Sequence, residues 1–185
     1  MKMKESYVFL ADGFEEVEAL TCVDVLRRAG MPVTTVSIDP GLEVTGAHGV
    51  TVQADAVFDG CPCAQAEWLV LPGGMPGATN LASHDALCRE LVAHHERGGK
   101  VAAICASPAV VLAPLGILDG RDAVCYPGME AAQGGARWGD EPVAIDGNVV
   151  TGNGPAAAAR FALTLVAQSM GQDCAHQVAA GMLLA

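Results

Sequence analysis

Short apolar runs alternate along this chain with longer stretches in which apolar positions recur every three or four residues, the pattern of buried strands interleaved with helices. The run 7–11 ends at Asp12-Gly13 and reads as a strand with its exit turn. Residues 15–29 form a predicted helix whose first turn carries Glu15, Glu16 and Glu18, where the positive helix end favours them, and Gly30 follows it in the C′ position. Residues 32–38, rich in Val and Thr, give a second strand, and 44–52 give one or two small strands around a turn at 46–49. The strand 68–71 runs into Pro72-Gly73-Gly74, and a helix over 85–97 closes at Gly98-Gly99. A strand over 101–105 is followed at once by Ser107 and Pro108, which as N-cap and first helical residue predict a helix over 109–115. Minor strands are expected at 123–125 and 143–145, a further strand at 149–151, a long helix over 156–170 and a short last one over 174–183.

Repeated strand–helix units of this length imply a mainly parallel sheet with helices on both faces, in one domain spanning 1–185. Right-handed crossovers carry the strand exits to one edge of such a sheet, where ligands bind. Three exits should therefore meet: 12–18, 72–77 and 105–108.

The third exit holds Cys105 between small residues at a strand-to-helix bend, as a nucleophile elbow requires. Unpaired N–H groups of the following helix would favour thiolate over thiol and bring its pKa below about 8.5. A small buried hydrophobe is the other reading of the same residue. Gly73-Gly74 lets backbone N–H groups approach a ligand, and with the Ala106 N–H they could form an oxyanion hole. One of Glu15, Glu16 and Glu18, if buried at this edge, would stay protonated and exchange a proton with the sulfur. Spacing does not say which.

Composition narrows the remaining classes. Hydrophobic residues make up 51% and charged residues 17% of the 185, which argues against disorder. The net charge of −11 speaks against nucleic acid as main partner and against anionic membranes. Seven cysteines, an odd number, and no recognisable leader predict free thiols in the cytoplasm. Cys61-Pro62-Cys63 has the wrong spacing for a zinc pair, and His94-His95 point about 100° apart and read as solvated, so no metal is expected.

Five segments in order, L-A-D-G-F-E-E-V-E from Leu10, V-D-V-L-R-R-A-G from Val23, V-L-P-G-G-M-P-G-A-T-N-L from Val70, A-A-I-C-A-S-P from Ala102 and T-G-N-G-P from Thr151, resemble the ThiJ/PfpI superfamily in the branch of the parkinsonism-associated deglycase. The resemblance implies a flavodoxin-like, class I glutamine amidotransferase-like three-layer sandwich and a homodimer whose interface lies near the first helix around Arg28. It implies Cys105 as nucleophile, Glu18 as the acid beside it and Gly74 and Ala106 as backbone donors, with no cofactor. Substrates would be small carbonyl compounds or glycated adducts, in glyoxalase or deglycase chemistry; the other role described in the family is an oxidative-stress sensor or chaperone acting through Cys105. Gly73, Glu15, His48, Tyr126 and Asn153 complete the expected substrate-facing set. Tyr126 stands where many relatives have His, which removes a Cys–His dyad and argues against a protease. His48 and Asn153 stand where relatives carry Arg, which implies weaker anion binding.

Overall fold

Seven strands form the central sheet of the computed structural model, which describes residues 3–59, 61–130 and 135–184. In chain order the elements are β1 (Ser6–Leu10), α1 (Glu16–Arg28), β2 (Val33–Ser37), β3 (Glu43–Thr45), β4 (Thr51–Gln53), β5 (Ala56–Val57), β6 (Trp68–Leu71), α2 (Gly77–Ala82), α3 (Asp85–Glu96), β7 (Lys100–Ile104), β8 (Asp122–Ala123), β9 (Arg137–Trp138), β10 (Val143–Asp146), β11 (Val149–Gly152), α4 (Ala158–Met170) and α5 (Gln172–Gly181). The sheet order is β10-β11-β7-β6-β1-β2-β5, parallel throughout except for the β10–β11 hairpin. β3 and β4 pair as a separate antiparallel hairpin.

The period of two along each strand sorts side chains to opposite faces. From β1, Val8 and Leu10 join Leu26 of α1 and Phe161 and Leu165 of α4 in one core. Tyr7 and Phe9 join Leu81 of α2 and Leu87 and Leu91 of α3 in the other. The result is the expected flavodoxin-like sandwich of helices on both faces of a mostly parallel sheet. β1, β6 and β7 are neighbours and run the same way, so their three exits emerge side by side.

Several elements differ from expectation. α2 begins directly after the Pro-Gly-rich exit of β6, with Pro76 at its N-cap, a composition that reads as loop. The expected helix over 109–115 is a single π-helical turn, Pro108–Leu112. Ser107 does not cap it; its hydroxyl donates to the Pro72 carbonyl at 2.5 Å and ties two strand exits together. β5 and the two-residue β8–β9 ladder are too short to carry a periodic signal. His94 is buried, not solvated: Gly99 has no Cβ, and the imidazole occupies the space one would fill. Among the described residues no helix is long and apolar enough to cross a membrane.

Candidate active site

A helix advances about 100° per residue, so the three glutamates of the first turn diverge. Glu15 is the N-cap, and its carboxylate accepts the Glu18 N–H at 2.7 Å. Glu16 turns to the β3–β4 hairpin, where it accepts the His48 N–H at 2.7 Å and pairs with His48 Nδ1 at 2.7 Å. Burial opposes its ionisation, but the bonds from the His48 ring and from backbone N–H groups win, and its pKa drops to about 2; the same carboxylate raises the pKa of His48. Glu18 points inward to the sheet edge and is fully buried. The helix cap thus decides what spacing left open.

Glu18 Oε2 accepts the Gly73 N–H at 2.8 Å, and Oε1 has no hydrogen-bond partner among the described residues. Burial raises this carboxyl to about 7 against the lowering by its hydrogen bonds with Cys105 and Gly73, and Glu15 adds to the rise. A carboxyl that is buried, with one oxygen unmatched, stays the neutral acid up to about pH 7 and is a carboxylate above it.

Cys105 leaves β7 with φ +64°, a left-handed conformation that costs a non-glycine residue about 1–2 kcal/mol. The bend is pinned from both sides: the Cys105 N–H donates to the Gly152 carbonyl at 2.9 Å, and its carbonyl accepts the Tyr126 N–H at 2.8 Å. The residue is 8% exposed, so the site is largely dry. Backbone N–H groups of Gly74 and Ala106 face the sulfur and favour its anion. They do not win. Burial, then the charge of Glu18 and its hydrogen bond, push the thiol up to about 12, against the expected depression. The reason is structural: the helix expected to supply its positive end is one π-helical turn, and the Glu18 carboxylate sets a negative charge against the sulfur. Both groups therefore share one mobile proton. The first proton leaves the pair near pH 7, the second only near 12, and a thiolate exists here when the proton sits on Glu18.

Gly73 and Gly74 are glycine by necessity. A Cβ on Gly73 would lie 2.6 Å from Cys105 Cβ, 2.8 Å from Glu18 Oε2 and 3.0 Å from the Ala106 nitrogen. Gly74 has φ +89°, and a Cβ there would overlap the Glu15 nitrogen and the Gly13 carbonyl.

Cys105, Glu18, Gly73, Gly74 and Ala106 are thus brought together, with Glu15 behind Glu18. Tyr126 and Asn153 meet the site through backbone: Asn153 follows the Gly152 that holds Cys105, and its N–H donates to Pro142. His48 is not held against Cys105; its side chain is 71% exposed beside Glu16. Glu15, Glu16 and His48 each place a ligand-type atom within 4.8 Å of the others; His48 Nδ1 is already paired with Glu16, and the other Glu15 oxygen caps α1. Sequence reasoning missed Ser107 as a tie and Glu16 as the hairpin clamp. Neither leaves a signal in the sequence, since only the fold shows that a Cβ on Gly46 would overlap the Glu16 carboxylate.

A profile of the DJ-1/PfpI family matches residues 4–168. Protein DJ-1 homolog B of Arabidopsis thaliana is 34% identical over 183 residues, 98% of this chain, yet the chain spans only 42% of that relative's length. A deglycase of Pyrococcus horikoshii is 33% identical over 150 residues, covering 79% of this chain and 87% of its own. The structure of oxidized Toxoplasma gondii DJ-1 superposes with a TM-score of 0.94 at 36% identity, covering 98% of this chain and 99% of its own.

Proposed function

This chain belongs to the DJ-1/PfpI family, and on that premise we propose that it is a single-domain, cofactor-independent cysteine enzyme acting on 2-oxoaldehydes or their adducts. The observation that carries the reading is Cys105 on a strained bend, with a buried carboxyl and two backbone N–H groups turned to its sulfur. The similarity to an archaeal deglycase supports the substrate class.

In this reading the Cys105 thiolate adds to the aldehyde carbon of methylglyoxal, and protonated Glu18 delivers its proton to the oxygen, giving a hemithioacetal. The N–H groups of Gly74 and Ala106 hold that oxygen while it is negative. Glu18, now a carboxylate, takes the proton from the former aldehyde carbon and returns it to the neighbouring carbon through an enediol. The resulting thioester is cleaved by water, which frees lactate and the thiol. Attack on a glycated thiol or amine adduct would give deglycation by the same route. The test is lactate formation by chelator-treated protein; none above the buffer control overturns the proposal.

Glu18 also makes stability depend on pH. Its folded pKa of about 7 lies above the ordinary 4.5, so the native state binds the extra proton between those values. Stability is fully present below about 4.5, falls as pH rises through the window, and is lost above about 7, by about 3 kcal/mol. Glu18→Gln lacks this titration. Its urea midpoint is expected to gain on the parent's between pH 5 and pH 8, and the step in Cys105 alkylation rate near pH 7 is expected to vanish. Parallel midpoints and unchanged alkylation profiles would sink the assignment.

A second reading rests on the oxidized state of the Toxoplasma relative. A peroxide-derived oxygen on Cys105 would meet the same acid and N–H donors, so the chain would act as a sensor or chaperone. Selective oxidation of Cys105 by mild peroxide, with no lactate formed, favours it.

We place the protein in the cytoplasm, where thiols stay reduced, and its net charge of −11 disfavours an anionic membrane as partner and nucleic acid as main partner. Two copies pair through α1, where Val17 and Leu20 are exposed together with Val50 before β4. Sedimentation is expected to find a dimer for the parent and a monomer for Leu20→Glu; equal masses would remove α1 from the interface.

A further inference from the structure

Cys61 and Cys63 lie where the chain enters β6, at the sheet edge opposite Cys105. Pro62 between them has φ −81° and ψ 58°, and the Cys63 N–H donates to the Cys61 carbonyl at 2.9 Å. That is an inverse γ-turn, whose φ the proline ring sets in advance. The turn folds the two side chains onto each other, and their sulfurs are 3.1 Å apart, about 1 Å beyond a disulfide bond. The backbone is held on both sides, by Cys61 N–H to the Phe58 carbonyl at 2.9 Å and by Ala66 N–H to the Cys63 carbonyl at 3.0 Å.

The two thiols are not equivalent. Cys63 is buried, whereas Cys61 is partly exposed and lines a hollow of about 310 Å³ with Glu5, Tyr7, Thr34, Asp59 and Pro62. The Cys63 S–H donates to Cys61 and lowers the Cys61 pKa, against burial and the charges of Glu90 and Glu5. The same bond, with burial, raises Cys63. Cys61 is thus the attacking sulfur and Cys63 the one that follows. The acidic hollow admits a small neutral oxidant and repels anionic thiols such as glutathione.

We propose that Cys61 and Cys63 form a second redox site, in which a hydroperoxide converts the thiol pair to a disulfide. The Cys61 sulfur attacks the peroxide, taking one oxygen as sulfenic acid and releasing water, or an alcohol from an organic peroxide. Cys63 then attacks the Cys61 sulfur. The S–S bond forms, the S–O bond breaks, and hydroxide leaves with the Cys63 proton as a second water. The pair loses two electrons and the peroxide gains them. None of this depends on Cys105 being a nucleophile.

The test uses Cys105→Ala protein, which removes the competing sulfur, treated with equimolar hydrogen peroxide and mapped without reduction. The peptide carrying both cysteines is expected to be lighter by two hydrogens, inert to iodoacetamide and restored by dithiothreitol. The pair should lose alkylable thiol about tenfold faster than Cys88 or Cys174. In Cys63→Ser the reaction should stop at a sulfenic acid on Cys61, trapped by dimedone; in Cys61→Ser the buried Cys63 should stay reduced. Should either variant misfold, the map of the Cys105→Ala protein decides alone. Free, alkylable Cys61 and Cys63 at a peroxide dose that oxidises Cys105 in the parent would overturn the proposal, as would a disulfide from either to any other cysteine.

Discussion

Cys105→Ala is expected to abolish conversion of methylglyoxal to lactate, with kcat/KM down by at least about a thousandfold, while the fold persists. The loss is large because no other described thiol meets the Glu18 carboxyl and the two backbone donors, and the addition step has no substitute nucleophile. The fold persists because the left-handed bend at φ +64° is pinned by Gly152 and Tyr126 through the backbone, which alanine retains together with its strain. Cys105→Gly should lose activity equally yet be about 1 kcal/mol more stable than Cys105→Ala, since glycine adopts this φ freely. A further readout belongs to the pair itself. Without the thiol, Glu18 loses a hydrogen bond that lowers its pKa, so its titration should move higher still. Parent-level lactate formation by Cys105→Ala would end the enzymatic proposal. Lost activity with an unmoved Glu18 titration would break the shared-proton account but leave the nucleophile in place.

The parts of this site that were legible in the sequence are those that follow from topology. Once β1, β6 and β7 read as parallel strands with crossovers, their exits at Asp12, Pro72 and Cys105 had to meet at one edge. The choice among the three glutamates was not legible from spacing, because it turns on which residue caps α1. With Glu15 as N-cap, Glu16 faces the hairpin and Glu18 the sheet; a cap one residue earlier or later would rotate each by about 100°. The resemblance to a known family supplied Glu18, and the cap explains it. The protonation of Cys105 is not legible in the sequence for a related reason. Pattern placed a helix end behind the sulfur but could not weigh it against burial or against a carboxylate arriving from a distant segment. His94 was misread likewise, since its burial depends on the missing Cβ of Gly99 across a tight turn.

The two adjacent glycines of the β6 exit separate positional from conformational necessity, and the second large effect follows from the first of them. Gly73 needs no left-handed φ, so alanine is compatible with its backbone; what it lacks is room. The new methyl would stand 2.6 Å from Cys105 Cβ and 2.8 Å from Glu18 Oε2, between the two groups that share a proton. Neither neighbour is the free end of a flexible chain, as Cys105 is pinned at its bend and Glu18 is buried at the root of α1. Something must shift, and overpacking of this kind costs about 1–3 kcal/mol. Separation of sulfur and carboxyl also weakens the charge and hydrogen bond that couple them, so Gly73→Ala is expected to fold, to lose at least about a hundredfold in kcat/KM and to lower the Cys105 pKa from about 12. Gly74→Ala should behave differently, because its Cβ meets backbone of the β1 exit in a left-handed φ, so stability and activity fall together. Urea denaturation with alkylation kinetics on the two variants distinguishes these outcomes. If Gly73→Ala turns over substrate at the parent's rate, the sulfur and the carboxyl do not act as one unit, and the proton shuttle has to be sought elsewhere.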